Sequence, residues 1–263
     1  MHFTKMQGLG NDYLYVYGEV PDNIRDICVK LSDRHFGAGS DGRIYITPSS
    51  AADFRMRIFN ADGIEAKMCG NGIRCVGKYV YEKGYTDKKI LMIDTLSGIR
   101  KLDLHIREGK VKTVTVDMGI TAADDDLKLT VRNEEVLCTP VSVGNPHVVL
   151  FTDNAEQAPV TSIGPDIEHH KNFPDGVNVE FVQILSENSL RMRVWERGSG
   201  VTMACGTGAC AAAAAAVSKG YCHPDEPVSV LLDGGKLEIV IASDGRAYMT
   251  GPAVTVYEAE AEI

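Results

Sequence analysis

Phe54-Arg55-Met56-Arg57-Ile58-Phe59-Asn60 is followed, nine residues on, by Cys69-Gly70-Asn71-Gly72, and Leu190-Arg191-Met192-Arg193-Val194-Trp195-Glu196 is followed, nine residues on, by Cys205-Gly206-Thr207-Gly208. The offset is 136 residues at every matched position of these two stretches. Solenoid repeats have periods of ~20–50 residues, so a repeat this long marks a duplicated domain. The match continues upstream: Gly10-Asn11 and Gly144-Asn145 both precede apolar, strand-like runs, and Asp41-Gly42 pairs with Asp175-Gly176. Four matches in the same order imply two homologous halves.

Outward from this repeat the chain reads as strands around one main helix per half. Strands are expected over 13–17, 43–47, 54–59, 90–96, 99–106 and 111–117. In the second half they are expected over 136–143, 147–151, 177–185, 191–196, 228–232, 236–242 and 246–256. Alternation of Arg, Met, Arg, Val supports the strand at 191–196. A helix follows each Cys-Gly-x-Gly, stopping at Gly84 in one case and Gly220 in the other, where glycine suits a C-cap. The second helix is nearly all alanine, the best helix former and small enough for strands to pack closely around it. A further helix is expected over 22–36.

At 263 residues the chain accommodates two ordinary domains, and 44% hydrophobic with 24% charged residues is the composition of a soluble globular protein. A net charge of −9 with no basic face argues against a nucleic-acid partner. The longest strongly apolar run, Ala209 to Val217, is half a bilayer span, so no membrane association is expected. No signal-peptide core is found near Met1, and seven cysteines without CxxC pairs suit reduced thiols, so a cytoplasmic location is expected. No metal ligand set and no PLP lysine motif is found, and no cofactor is expected. Cys28, Cys75, Cys138, Cys210 and Cys222 read as packing residues, and His169-His170 as a solvated pair.

A cysteine at a helix start faces unpaired N–H groups and the positive end of the helix dipole, which favour thiolate. Glycines beside it allow close approach of a ligand, and the N–H groups can hold a carboxylate. One such cysteine alone is more often a small buried residue. Two equivalent ones in duplicated halves point to a cleft between the domains, where one thiolate removes a proton from a stereocentre and the opposing thiol returns one. A pair of thiols forming a reversible disulfide is the competing reading.

With Gly10-Asn11, Asn60-Ala61-Asp62-Gly63, Met68-Cys69-Gly70-Asn71-Gly72, Gly144-Asn145-Pro146-His147, Gly176-Val177-Asn178, Glu196-Arg197-Gly198 and Ala204-Cys205-Gly206-Thr207-Gly208, the chain resembles the diaminopimelate epimerase family over nearly its full length. The resemblance implies a PLP-independent two-base epimerase interconverting LL- and meso-2,6-diaminopimelate, in lysine and peptidoglycan precursor synthesis. It implies Cys69 and Cys205 as acid and base, with His147 and Glu196 assisting them. Gly70, Asn71, Gly206 and Thr207 would cradle the reacting carboxylate, and Asn11, Asn60, Asn145, Asn178, Glu196 and Arg197 would hold the amino-acid groups. The implied fold is α/β (α+β): two pseudo-symmetric domains, each a curled, mostly antiparallel sheet around a central helix. The expected halves are 1–117 and 118–250, with strand 251–263 returning to the first. Tyr257 would lie in a homodimer interface. Two residues depart from the family pattern: Gly42, where many members carry glutamine, and Val201, where many carry glutamate. Proline and hydroxyproline racemases share the two-cysteine logic, but typically place His where this chain has Asn71.

Overall fold

A computed structural model describes residues 1–262, so Ile263, the last residue of the expected returning strand, lies outside the described residues. The chain divides into two compact units, one of Met1–Val116 with the described residues from Gly251 onward, the other Asp117–Thr250.

The chain runs β1 (His2–Gly8), β2 (Asn11–Tyr17), α1 (Ile24–Ser32), β3 (Gly42–Thr47), β4 (Phe54–Asn60), β5 (Glu65–Ala66), α2 (Gly70–Glu82), β6 (Ile90–Thr95), β7 (Gly98–Arg107) and β8 (Lys110–Ile120). It continues with β9 (Ala122–Ala123), β10 (Leu127–Val131), β11 (Glu134–Ser142), β12 (Pro146–Phe151), α3 (Val160–Glu168), β13 (Asn178–Ser186), β14 (Ser189–Glu196) and β15 (Gly200–Val201). The last elements are α4 (Gly206–Ser218), β16 (Pro227–Leu232), β17 (Gly235–Ile241), β18 (Arg246–Pro252) and β19 (Val254–Glu260).

In the first unit the pairing order is β19-β1-β2-β3-β4-β6-β7-β8, antiparallel except for β2/β3 and β4/β6, which are parallel. In the second it is β10-β11-β12-β13-β14-β16-β17-β18, with β12/β13 and β14/β16 parallel. The two patterns are the same. A parallel pair needs a long crossover, and helices supply it: α1 and α2 in one unit, α3 and α4 in the other. β19 takes the place in the first unit that β10 takes in the second.

Each sheet curls about its central helix. α2 packs on β1, β2 and β7, strands far apart in the pairing order, and is buried from Gly70 through Val80. α4 packs on β11 through β14, β16 and β17. Its alanines are buried on all sides, as expected for a helix without an exposed stripe. Gly77 shows how tight the packing is: an added Cβ would lie 2.8 Å from Leu104 and 3.0 Å from Leu102. No helix among the described residues is long and apolar enough to cross a membrane.

Several elements differ from the sequence reading. β1, β10 and α3 were not expected, and α3 carries Pro165 inside it. α1 ends at Ser32 rather than near 36, because the Asp33 carboxylate accepts from the N–H groups of His35 and Phe36 and turns the chain. The strand expected over 246–256 is two strands, divided at Ala253. The expected pairing of Gly42 with Gly176 is also corrected. Tyr13 lies beside Gly42 in the β2/β3 ladder and His147 beside Asn178 in the β12/β13 ladder, so Gly42 corresponds to Asn178.

Candidate active site: two thiols capping two helices

Each motif cysteine is the N-cap of its central helix. Cys69 and Cys205 have extended backbone, and each sulfur accepts from the N–H three residues on, Gly72 or Gly208, at 3.3 Å. An N-cap acceptor usually carries oxygen. Here a thiol takes that role, so the helix N–H and dipole act directly on the sulfur. The last glycine of each motif is needed for space. A Cβ on Gly72 would lie 2.7 Å from Ile44 Cδ1, and one on Gly208 2.7 Å from Glu180 Oε1.

Around Cys69, the Asn11 Oδ1 accepts from the thiol at 3.1 Å, while the Asn11 amide donates to Asp41 at 2.7 Å. Asp41 thereby fixes which end of the amide faces sulfur, and is itself held by Arg34 at 2.9 Å. Tyr13 is buried beside both Asn11 and Cys69; burial first and Cys69 second push its phenol well above the ordinary range, so it stays neutral. Behind the helix start lies Arg74, fully buried, donating to Gly70 O, Asn71 Oδ1 and Pro252 O. The Asn71 side chain is thus engaged with the arginine. Asn60 ends β4 and is exposed.

Around Cys205 the groups are more ionisable. The Thr207 hydroxyl lies 3.6 Å from the sulfur, the Asn145 amide 3.4 Å from that hydroxyl, and His147 Nε2 3.1 Å from Asn145 Oδ1. His147 Nδ1 meets Glu180 at 2.7 Å, both side chains fully buried. The Glu196 carboxylate accepts from Thr202. Burial raises its pKa, Thr202 opposes this, Glu180 adds to it, and His147 opposes it. Burial raises the Cys205 thiol well above its ordinary range, with Glu196 and then Glu180 adding to the effect; Thr207 and the Gly208 N–H pull the other way. At rest this sulfur is a protonated thiol. Asn178 accepts from the Arg197 N–H at 3.0 Å and donates to Pro146 O at 2.9 Å, holding the β12 and β13 ends and the Arg197 turn together. The Arg197 side chain is exposed and donates to Asp175 O.

Among the residues named from sequence, Asn11 and Cys69 gather at the α2 start, with Gly70 and Asn71 opening the helix. At the α4 start, Asn145, His147, Glu196, Cys205, Gly206 and Thr207 gather, with Asn178 and Arg197 joined at the strand ends. Tyr257 lies apart on β19, donating to Ala38 O, its ring 6.4 Å from Phe3. Gly42 has φ +153°, and a Cβ there would meet Phe59 O at 2.1 Å, so a glutamine would require a different backbone. Val201 is exposed on β15. Sequence reasoning missed Tyr13, Asp41 as an orienting group, and Glu180. The sequence signal for Tyr13 was available, since Gly10-Asn11 and Gly144-Asn145 place it opposite His147.

The sequence profile of the diaminopimelate epimerase family matches residues 3–122 and 139–256. The chain is 47% identical over 279 aligned residues to a diaminopimelate epimerase of Acetivibrio thermocellus, covering 100% of this chain and 99% of that protein. It is 49% identical to one from Methanococcus maripaludis strain S2, with 100% of both covered, and 50% identical to one from Phocaeicola vulgatus, with 99% and 98% covered. Among solved structures, a Bacillus anthracis phenazine biosynthesis protein of the PhzF family superposes with TM-score 0.78 at 18% identity, covering 100% of this chain and 99% of that one. A probable proline racemase from Agrobacterium radiobacter superposes with TM-score 0.77 at 16% identity, covering 100% and 93%. At such identities these two share the fold alone. Full-length identity near one half, together with the profile match through both cysteine motifs, places the chain in the diaminopimelate epimerase family of isomerases.

Proposed function

We propose that the protein epimerises 2,6-diaminopimelate at an α-carbon by two-thiol proton transfer, with Cys69 and Cys205 acting on opposite faces. The observation that carries the thiol assignment is the pair of sulfurs seated as N-caps of two equivalent helices. Thiolate takes the α-proton, and the opposing thiol delivers one to the resulting carbanion; positioned proton transfer of this kind contributes roughly 10²–10⁴-fold. N–H groups at the helix starts suit the substrate carboxylate, on which negative charge grows as the proton leaves. In this reading Cys205, held as a thiol by burial and two carboxylates, begins as the acid. Cys69 begins as the base in that direction. Asn11, Asn60, Asn145, Asn178, Glu196 and Arg197 supply donors and acceptors for a substrate with two carboxylates and two ammonium groups.

The exposed apolar edge of β19, with Val254 42%, Val256 52% and Tyr257 39% accessible, supports a homodimer through that strand. Seven cysteines suit a reducing, cytoplasmic location. The test is proton NMR of LL-diaminopimelate in D₂O with the protein and with Cys69→Ala and Cys205→Ala. Loss of the α-proton signal and appearance of the meso isomer are expected only with both thiols present. Exchange of the proline α-proton with diaminopimelate untouched would overturn the substrate assignment.

A further inference from the structure

Glu180 is a buried carboxylate that takes no proton in the two-thiol reaction proposed above. Both its oxygens are inside the second unit. Oε1 meets His147 Nδ1 at 2.7 Å and stands 2.7 Å from where a Gly208 Cβ would be. Oε2 is buried with no hydrogen-bond partner among the described residues. The corresponding residue of the first unit is Ile44, which occupies the same place against Gly72. A carboxylate here is therefore not demanded by the fold. The groups that face His147 and carry charge are Glu180 on β13 and Glu196 on β14.

We propose that Glu180 is a positioning residue that commits His147 Nδ1 as a permanent donor, so that protonation of the ring changes only at Nε2 and is relayed to Cys205. The relay follows from the contacts. Nε2 faces the Asn145 amide, the amide faces the Thr207 hydroxyl, and the hydroxyl faces the Cys205 sulfur. A protonated Nε2 is met by Asn145 Oδ1; the amide NH₂ then donates to Thr207, whose O–H points at sulfur and favours thiolate. A bare Nε2 requires the amide to turn its NH₂ to the ring. Thr207 then donates to Asn145 and leaves a lone pair for a Cys205 S–H. The amide turns and carries no proton itself. Neutral imidazole without a partner at Nδ1 is free to adopt the other tautomer, which would fix Nε2 as a donor and disconnect the relay. Carboxylates that orient a metal-ligating histidine in this way are worth about 10–100-fold, and an effect of the same order is expected for His147.

This inference rests on Cys205 being one of the reacting thiols, but its first test needs no substrate. Ring ¹⁵N NMR of the substrate-free protein, with His147 identified through His147→Gln, should show Nδ1 protonated at every pH at which the protein is folded and only Nε2 titrating. In Glu180→Ile, the residue the first unit tolerates at this place, the neutral ring should carry its proton on Nε2. Epimerisation by that variant should lose about 10–100-fold in kcat with KM changed less than about threefold. Its ¹³Cβ cysteine resonance for Cys205 should no longer track the His147 titration. A neutral Nε2–H tautomer in the unaltered protein would overturn the proposal without any variant. So would Nδ1–H persisting in Glu180→Ile. Normal tautomer behaviour with no epimerisation of diaminopimelate by the unaltered protein would instead count against the reaction assigned above.

Discussion

Alanine at the last residue of each Cys-Gly-x-Gly motif tests whether the two helix starts are built to different tolerances. In Gly72→Ala the new methyl lies 2.7 Å from Ile44 Cδ1, the far end of a side chain. In Gly208→Ala it lies 2.7 Å from Glu180 Oε1 and 3.2 Å from Cys205 Sγ, and Glu180 is tied to buried His147. Overpacking costs about 1–3 kcal/mol in either case, and alanine returns up to about 1 kcal/mol of helix propensity. The net for Gly72→Ala is about 0–3 kcal/mol. Gly208→Ala adds about 1.5–3 kcal/mol if the charge-assisted hydrogen bond to His147 is broken, giving about 1.5–6 kcal/mol. At about 2–4 °C per kcal/mol, the second variant should melt several degrees below the first. Calorimetry on the two proteins decides it, with iodoacetamide reactivity of each cap cysteine as a local check. Equal melting temperatures, or a greater loss for Gly72→Ala, would refute the reasoning that the Glu180 contact is rigid.

Three other perturbations follow from the site and the core beneath it. Burial holds the Cys75 thiol at about 11 against an ordinary 9.0, so its contribution to stability is full below pH 9 and lost as pH rises toward 11; the two-unit shift corresponds to at most about 2.7 kcal/mol. Cys75→Ala should flatten that part of the pH-dependent urea midpoint, and an unchanged slope would exclude it. Thr202→Val removes the hydroxyl that opposes the upward shift of Glu196, so the acidic limb of the epimerisation rate should move to higher pH; a limb that moves down would reject the role given to this carboxylate. Arg74→Met strips donors from Gly70 O, Asn71 Oδ1 and Pro252 O and should cost about 2–4 kcal/mol. Faster proteolysis between β18 and β19 is the accompanying sign, and resistance equal to that of the unaltered protein would show that Arg74 does not anchor this segment.

The parts of this architecture that were legible in the sequence are those where local chemistry and tertiary packing agree. The alanine run and the Gly84 and Gly220 stops located α2 and α4 because propensity, capping and burial coincide there; both glycines have positive φ. α3 was hidden by Gly164 and Pro165. Its glycine is required because an added Cβ would meet Trp195 Cβ at 2.7 Å and the ring Cγ at 2.8 Å, a tertiary reason invisible in the local pattern. β1 was passed over because its role as the strand between β2 and β19 depends on residues some 250 positions away. At the site, the two cysteines and the pair Asn11 and Asn145 were legible because they recur at matched positions in the two halves. Glu180 was not, because its counterpart is isoleucine. Comparing the halves finds what they kept, and the chemistry that distinguishes them lies where they diverged.

That divergence has a pattern. Three strand-end positions correspond through the ladders: Tyr13 with His147, Ile44 with Glu180, and Asn60 with Glu196. In the first unit these are a neutral phenol, an alkyl group and an amide, none of which carries charge in the folded protein near neutral pH. In the second they are an imidazole and two carboxylates around a thiol that burial already keeps protonated. The scaffold under each sulfur is the same, with an N–H at 3.3 Å, a glycine kept free of side chain and a helix dipole. Identical scaffolds would give two thiols of similar acidity, whereas the proposed reaction uses one as base and the other as acid. At these three positions the strands set titratable side chains near Cys205 and neutral ones on the Cys69 side. Moving the pair His147 and Glu180 toward Tyr and Ile should therefore bring the Cys205 thiol down toward its ordinary range, since Glu180 adds to its upward shift. Cysteine ¹³Cβ titration of the double variant reads this directly, and a Cys205 thiol that rose instead would mean that Glu180 does not contribute.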